Sequence, residues 1–196
     1  MVKPTFHLTL CVSTLTTRFV RHWDTWITPK LVSHVFVASI ANNVPAIIGH
    51  PSDVMFGLDA DSPVPPNGGA EQFDLYLSNG DVAQVAFTAA IVDSQAAWNT
   101  SWRIYTTKVA GGSAIANPVW VSSQYLGRCQ NPAYNSVSGL LSFLFMERPG
   151  FEADRLQLAI LNMASGVITN ATTTWDYSIG GQTWVNPTTL IIDTDS

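Results

Sequence analysis

A short strand-turn-strand phrase recurs along this 196-residue chain. Each copy is an apolar run that closes on a polar turn and reopens as β-rich sequence. The copies are Phe73 to Thr88 (FDLYLSNGDVAQVAFT), Pro132 to Met146 (PAYNSVSGLLSFLFM) and, in worn form, Thr183 to Thr194 (TWVNPTTLIIDT). Sixty residues separate Asp74 from Tyr134, and fifty separate Tyr134 from Trp184. A propeller blade of four strands needs about 40 to 50 residues plus insertions, so this period predicts blades. The expected fold is all-β: a partial β-propeller of about three blades, each a four-stranded antiparallel sheet. Such a stack is a scaffold first, and chemistry has to come from its loops or from something attached to it.

The strands follow from local pattern. Val35 to Ile40 carries Ser39 as its only polar residue, which predicts a strand largely buried on both faces. Residues 50–70 hold four prolines and three glycines and read as a stiff, extended loop. Ser78-Asn79-Gly80 is a hairpin signal, since Asn and Gly tolerate positive φ; Val82 to Phe87 is its return strand. Trp98 to Val109 alternates as a third strand and turns at Ala110-Gly111-Gly112. In the next blade Leu141, Phe143 and Phe145 share one face, and Arg148-Pro149-Gly150 ends the strand. Leu156 to Met163 fits helix or strand by itself; the turn at Ala164-Ser165-Gly166 and the run Val167 to Thr169 decide for a hairpin. Residues 1–18 form an N-terminal segment, and 19–196 the propeller domain. The stretch FHLTLCVSTLTT is short and broken by Thr and Ser, which favours an ordinary strand over a signal peptide.

Composition narrows the function classes. Hydrophobic residues make up 46% of the chain, enough for a folded core. Charged residues make up only 12%, about half the usual share, which favours a surface that meets partners. With a net charge of −5 and no Lys/Arg cluster, counterion-release binding to nucleic acid has nothing to act through. No run approaches 18 apolar residues, so no transmembrane helix is expected. Cys11 and Cys129 are too few for a thiolate metal site. Free buried thiols are expected, with a disulfide left open. No metal and no cofactor is implied. Asn99-Thr100-Ser101 and Asn170-Ala171-Thr172 are N-glycosylation acceptors, compatible with secretion.

Three stretches resemble a known family. They are Arg21-His22-Trp23-Asp24-Thr25-Trp26, the phrase at Phe73-Asp74-Leu75, and above all Glu147-Arg148-Pro149-Gly150-Phe151-Glu152-Ala153-Asp154-Arg155. Together they look like the propeller region of fungal secreted dipeptidyl-peptidase V, of the prolyl oligopeptidase family of serine peptidases. Trp175-Asp176, ahead of Thr183-Trp184, fits the same pattern, so the likeness runs from about Phe19 to the C-terminus. It implies a secreted enzyme acting on peptides, with an N-terminal propeller followed by an α/β-hydrolase domain that these residues do not include. The family's turn reads Ser-Pro-Asp-Gly-Lys. Here the turns read Leu77-Ser78-Asn79-Gly80-Asp81, Asn135-Ser136-Val137-Ser138-Gly139 and Val185-Asn186-Pro187-Thr188. Loss of a turn glycine costs about 1 kcal/mol where positive φ is needed, so these turns read as decayed.

A serine hydrolase of that type needs Gly-x-Ser-x-Gly, then an acid, then His, in chain order. No such pentapeptide occurs, and His7, His22, His34 and His50 all precede any plausible nucleophile. No catalytic residue is therefore assigned, and the chain is expected to be inactive alone. His22 beside Trp23 reads as structural. The cluster Glu147, Arg148, Glu152, Asp154, Arg155 puts five charges within nine positions. The resemblance makes Glu152 the first candidate for capturing a peptide amino terminus, with Glu147, Asp154 and Arg155 behind it. The plainer reading is an internal salt-bridge network with Arg155 paired to Glu152 or Asp154. Trp98, Trp102 and Trp120 serve either as core packing or as a sugar-stacking platform, which keeps a glycan- or protein-binding module as the alternative. An open arc of blades also predicts self-association, and a non-functional product is the third reading.

Overall fold

The structure is a computed structural model that describes residues 21–22, 25–26, 31–41, 46–77, 82–93, 96 and 98–194. The segment 1–18 with His7 and Cys11, the residues Trp23 and Asp24, the side chain of His22, and the Ser78-Asn79-Gly80 turn lie outside the described residues.

The chain is all-β. A short pair, β1 (Arg21–His22) and β2 (Thr25–Trp26), precedes a first sheet formed by β3 (Phe36–Ile40) and β4 (Ile47–Asp53). The second sheet gathers β5 (Ala60–Asp61), β6 (Phe73–Leu77), β7 (Val82–Ile91), β8 (Trp102–Ala110), β9 (Ser113–Ala114) and β10 (Val119–Trp120). Both β5 and β6 pair with β7, and both β9 and β10 pair with β8, so this sheet is four strands wide. The third sheet is an up-and-down meander of β11 (Cys129–Tyr134), β12 (Leu140–Phe145), β13 (Gln157–Asn162) and β14 (Ile168–Asn170). The fourth pairs β15 (Ile179–Asn186) with β16 (Thr189–Thr194). All pairings are antiparallel. Two full blades flanked by two hairpins make a partial propeller-like arrangement, as the repeat predicts.

Alternation explains how the sheets stack. In β7, Ala83, Val85, Phe87 and Ala89 join one buried cluster, which Val35 and Val37 of the first sheet cover. Ala86 points the other way and joins a second cluster with Tyr134, Leu141, Phe143 and Phe145 of the third sheet. Leu144 and Leu158 turn to a third cluster with Ile179, Leu190 and Ile192 of the fourth. Each central strand therefore buries both faces, so it reads as nearly continuous apolar sequence. Phe87, Phe143 and Phe145 are among the largest fully buried side chains. At about 25 cal/mol per Å² of apolar surface, they rank among the strongest contributors to the stack.

Three expectations are corrected. β3 is partly covered on one face only: Val37, with Val35 just before the strand, packs against the second sheet, whereas Phe36 and Ile40 are exposed. The stretch 50–70 is not a plain loop. It contains the end of β4, all of β5 and the buried Val54, Met55, Ala60 and Val64. The two described turns of the repeat, at Asn135 and Asn186, have not decayed either. The Asn135 Oδ1 accepts the N–H groups of Val137 and Ser138 at 3.1 and 3.0 Å, and Gly139 supplies the left-handed φ of 68°. Asn162 and Asn186 close their own hairpins in the same way, through Ala164, Ser165 and Thr188. An Asn side chain that folds back on its own turn replaces the pattern expected of the family.

Candidate functional site

Because successive strands run in opposite directions, alternate connections lie at the same end of the stack. The β7–β8, β10–β11, β12–β13 and β14–β15 connections share one end. Arg103, Arg128, Arg148 and Arg155 gather there, as do Glu147, Glu152, Asp154 and Asp176.

The β12–β13 loop forms the centre of this end. The continuous buried run of β12 ends at Met146, just past the strand, and Glu147 to Gly150 are exposed. Pro149 and Gly150 break the strand, with Gly150 at a φ of 75°. Asp154 then folds the loop back on itself. Its Oδ2 accepts the Arg148 N–H at 2.8 Å, and its Oδ1 lies 3.7 Å from Arg148 Nε. The Arg148 guanidinium rests over the Phe151 ring at 5.2 Å. Arg155 donates to the Trp175 carbonyl and lies 3.6 Å from Asp176 Oδ1, which staples this loop to the β14–β15 connection. Between the two loops opens a cleft of about 440 Å³, lined by Glu147, Arg148, Asp154, Arg155, Asp176 and Ser178 among others.

These contacts divide the expected site residues. Asp154 and Arg155 are engaged in holding the loops, and Arg155 pairs with Asp176 rather than with Glu152 or Asp154. Glu147 lines the cleft and is exposed, close enough to Tyr125 for its charge to help raise that phenol, whose main perturbation is burial. Glu152 is also exposed and faces Arg128. Burial pushes the Arg128 guanidinium below its ordinary value, and the Glu152 charge opposes that shift. Sequence reasoning missed Arg128. Its guanidinium stacks on the Trp102 ring at 3.8 Å, across the second and third sheets. The lone Arg in Gly127-Arg128-Cys129 carries no motif that would have marked it.

The tryptophans do not form one platform. Trp102 and Trp120 lie on opposite faces of the second sheet, and Trp120 stacks with Arg103 at 4.3 Å. Trp98 is the exception, 82% exposed beside Asn99. The two glycosylation acceptors also differ. Asn99 is exposed, whereas Asn170 donates to Gln157 Oε1 at 2.9 Å and accepts the Thr172 N–H at 2.9 Å. The Thr172 hydroxyl is buried and accepts the Leu158 N–H at 2.9 Å.

Cys129 is free and buried, and burial raises its thiol to about 12. Among the described residues, no group of three or more His, Cys, Asp or Glu side chains is placed to hold a metal ion. No helix among them is long and apolar enough to cross a membrane.

A probable dipeptidyl-peptidase 5 of Emericella nidulans is 28% identical over 186 residues, spanning 88% of this chain and 24% of the relative. One from Aspergillus niger is 27% identical over 192 residues, spanning 89% of this chain and 25% of the relative. The chain resembles dipeptidyl-peptidase 5. The likeness extends beyond fungi: the dipeptidyl-peptidase 5 of Porphyromonas gingivalis is 25% identical over 171 residues, spanning 87% of this chain and 23% of the relative. The chain therefore spans about a quarter of the length of the dipeptidyl-peptidase 5 relatives it matches. No family model and no solved structure matches it.

Proposed function

We propose that this chain acts as the propeller-region module of a dipeptidyl-peptidase 5-like protein, receiving the amino-terminal end of a short peptide at the loop end of its sheet stack. The observation that carries this reading is the cleft between the β12–β13 and β14–β15 loops. Arg155 and Asp154 fix its walls, while the exposed Glu147 carboxylate lines it. A peptide ammonium that enters meets a carboxylate at a rim already held in place, so little ordering cost remains to be met on binding. Glu152, beside Arg128 and outside the lining of the cleft, is the second carboxylate of this end of the stack for peptide capture. Asp154 and Arg155 serve this binding as positioning residues. Cleavage falls to a separate serine-hydrolase unit, because these residues contain no Gly-x-Ser-x-Gly. The module is secreted and carries its glycan at Asn99.

Titration calorimetry with a tetrapeptide and its N-acetylated form tests the reading. The free amine is expected to bind, and acetylation or the pair Glu147→Gln and Glu152→Gln to weaken binding by about 10- to 100-fold, the worth of a charge-assisted hydrogen bond. Equal binding of the two peptides refutes it. Dipeptide-coupled chromogenic substrates should show no turnover with this chain; turnover blocked by a serine-directed inhibitor refutes the division of labour.

The exposed edge-to-face pair Trp175 and Tyr177, 6.2 Å apart on the β14–β15 connection and alternating with the cleft residues Asp176 and Ser178, favours a second reading in which this connection binds a glycan. A competed hit on a glycan array, lost in Trp175→Ala, would place it ahead of the first.

A further inference from the structure

We infer that Gln157 reads the first carbonyl oxygen of a peptide bound in the cleft, and that Asn170 holds its amide in the donating orientation. The inference rests on the reading of the cleft as an amine site and adds a second point of recognition to it. Gln157 opens β13 directly opposite Phe145 and lines the cleft, although it is only 5% exposed. An amide placed so deep needs a partner for each end.

One end is accounted for. The Thr172 backbone N–H, which can only donate, bonds Asn170 Oδ1 at 2.9 Å. That identifies the oxygen end of the Asn170 amide, so its Nδ2 is the group that meets Gln157, donating to Oε1 at 2.9 Å. The Gln157 amide is therefore oriented from a backbone group two hydrogen bonds away. Its Nε2 donates to no group among the described residues. Asn170 does not line the cleft, so the end of the Gln157 amide turned away from Asn170 is the one left for a ligand.

The charged lining complements this donor. Arg148 faces Asp154 and Arg155 faces Asp176, which leaves the Glu147 carboxylate for a cation. Glu147 stands two positions past Phe145 and Gln157 opposite it, a diagonal spacing of about 7 to 8 Å that long side chains bridge. A carboxylate near a neutral donor matches an aminoacyl terminus, whose ammonium and carbonyl oxygen sit on adjacent carbons. A simple amine offers only the first contact. The ligand class is an N-terminal aminoacyl group rather than a cation in general.

Titration calorimetry with the tetrapeptide and its N-acetylated form is the test. Gln157→Met keeps the length of the side chain and removes the donor, so it should weaken the free-amine peptide by about 3- to 10-fold, the worth of one neutral hydrogen bond. Asn170→Asp keeps the acceptor for Thr172 but offers Gln157 no donor. Gln157 then turns Nε2 to the new carboxylate and Oε1 to the cleft, and the peptide should weaken at least as much. The added negative charge by itself attracts an ammonium, so weakening reports the turned amide and not the charge. In the Gln157→Met background, Asn170→Asp should weaken binding no further, because this positioning residue acts through Gln157. The Gln157 side-chain amide signals of the isotope-labelled parent, which need no variant, should shift as the tetrapeptide is added. A parent that binds the free and acetylated peptides alike, or neither, overturns the amine reading and this inference with it. Where the parent discriminates, three results overturn this inference alone: unchanged affinity in Gln157→Met, an Asn170→Asp penalty that persists in the Gln157→Met background, or Gln157 amide signals that stay in place.

Discussion

At the scale of the residue, Cys129 gives the clearest dependence on pH. Its thiol is held up at about 12 by burial, against about 8.5 for a free thiol. The folded state therefore keeps a proton that the unfolded chain gives up. The stability linked to Cys129 is fully present below about pH 8.5 and is lost as pH rises toward 12, by about 1.4 kcal/mol per pH unit at most. Tyr134, raised by burial and by the neighbouring Asp74 charge, adds a loss in the same direction at higher pH. Urea midpoints measured from pH 8 to 11 should fall in the parent, and fall less steeply in Cys129→Ala. The acceptor asparagines give a second prediction. A glycan on Asn99 extends into solvent, whereas one on Asn170 has to be accommodated beside Gln157 in a half-buried edge strand. Peptide mapping of chain made in a glycosylating host should find Asn99 occupied and Asn170 bare.

At the scale of the element, polar side chains join one blade to the next. Asp74 on β6 accepts the Tyr134 N–H of β11 at 2.7 Å. Asn135, at the tip of β11, donates to the Asn186 carbonyl at 3.0 Å, and the Trp184 indole donates to the Ala133 carbonyl at 3.1 Å. Asp74→Ala removes a charged acceptor and leaves a half-buried amide unpaired, so it should cost about 1.5 to 3 kcal/mol. Asn135→Ala loses both the turn bonds and the bond to the next sheet, at about 2 to 3 kcal/mol by the same scale. Asn135→Asp keeps the turn acceptor and should recover the larger part, a difference readable in urea midpoints. Tyr134 and Trp184 stand out in the repeated phrase, but no local pattern says that one blade's side chain closes on the next blade's backbone.

At the scale of the whole molecule, stability should be graded from the middle outward. β7, β8, β12 and β13 are covered by neighbouring sheets, whereas the β3–β4 and β15–β16 hairpins each have an uncovered face. Amide exchange should therefore be slowest in the central four strands and fastest in the two hairpins. The candidate cleft follows the same division of causes. Its position at the end of β12 was readable, because Arg148-Pro149-Gly150 stops an apolar strand and leaves charged residues on a loop. Its partners were not, because Arg155 reaches Trp175 and Asp176, some twenty positions away, and Arg128 lies nearly as far from the loop on its other side. The sequence alone determined most of the strands and their repeat, though not β5 or the end of β4 within 50–70, since backbone preference, alternation and turn chemistry act within a few residues. Only the tertiary structure decided that Asn side chains close the turns, which apolar faces are covered, and which charges hold the loops. A run such as Val35 to Ile40 looks equally apolar on both sides, and only the presence or absence of a neighbouring sheet tells one side from the other.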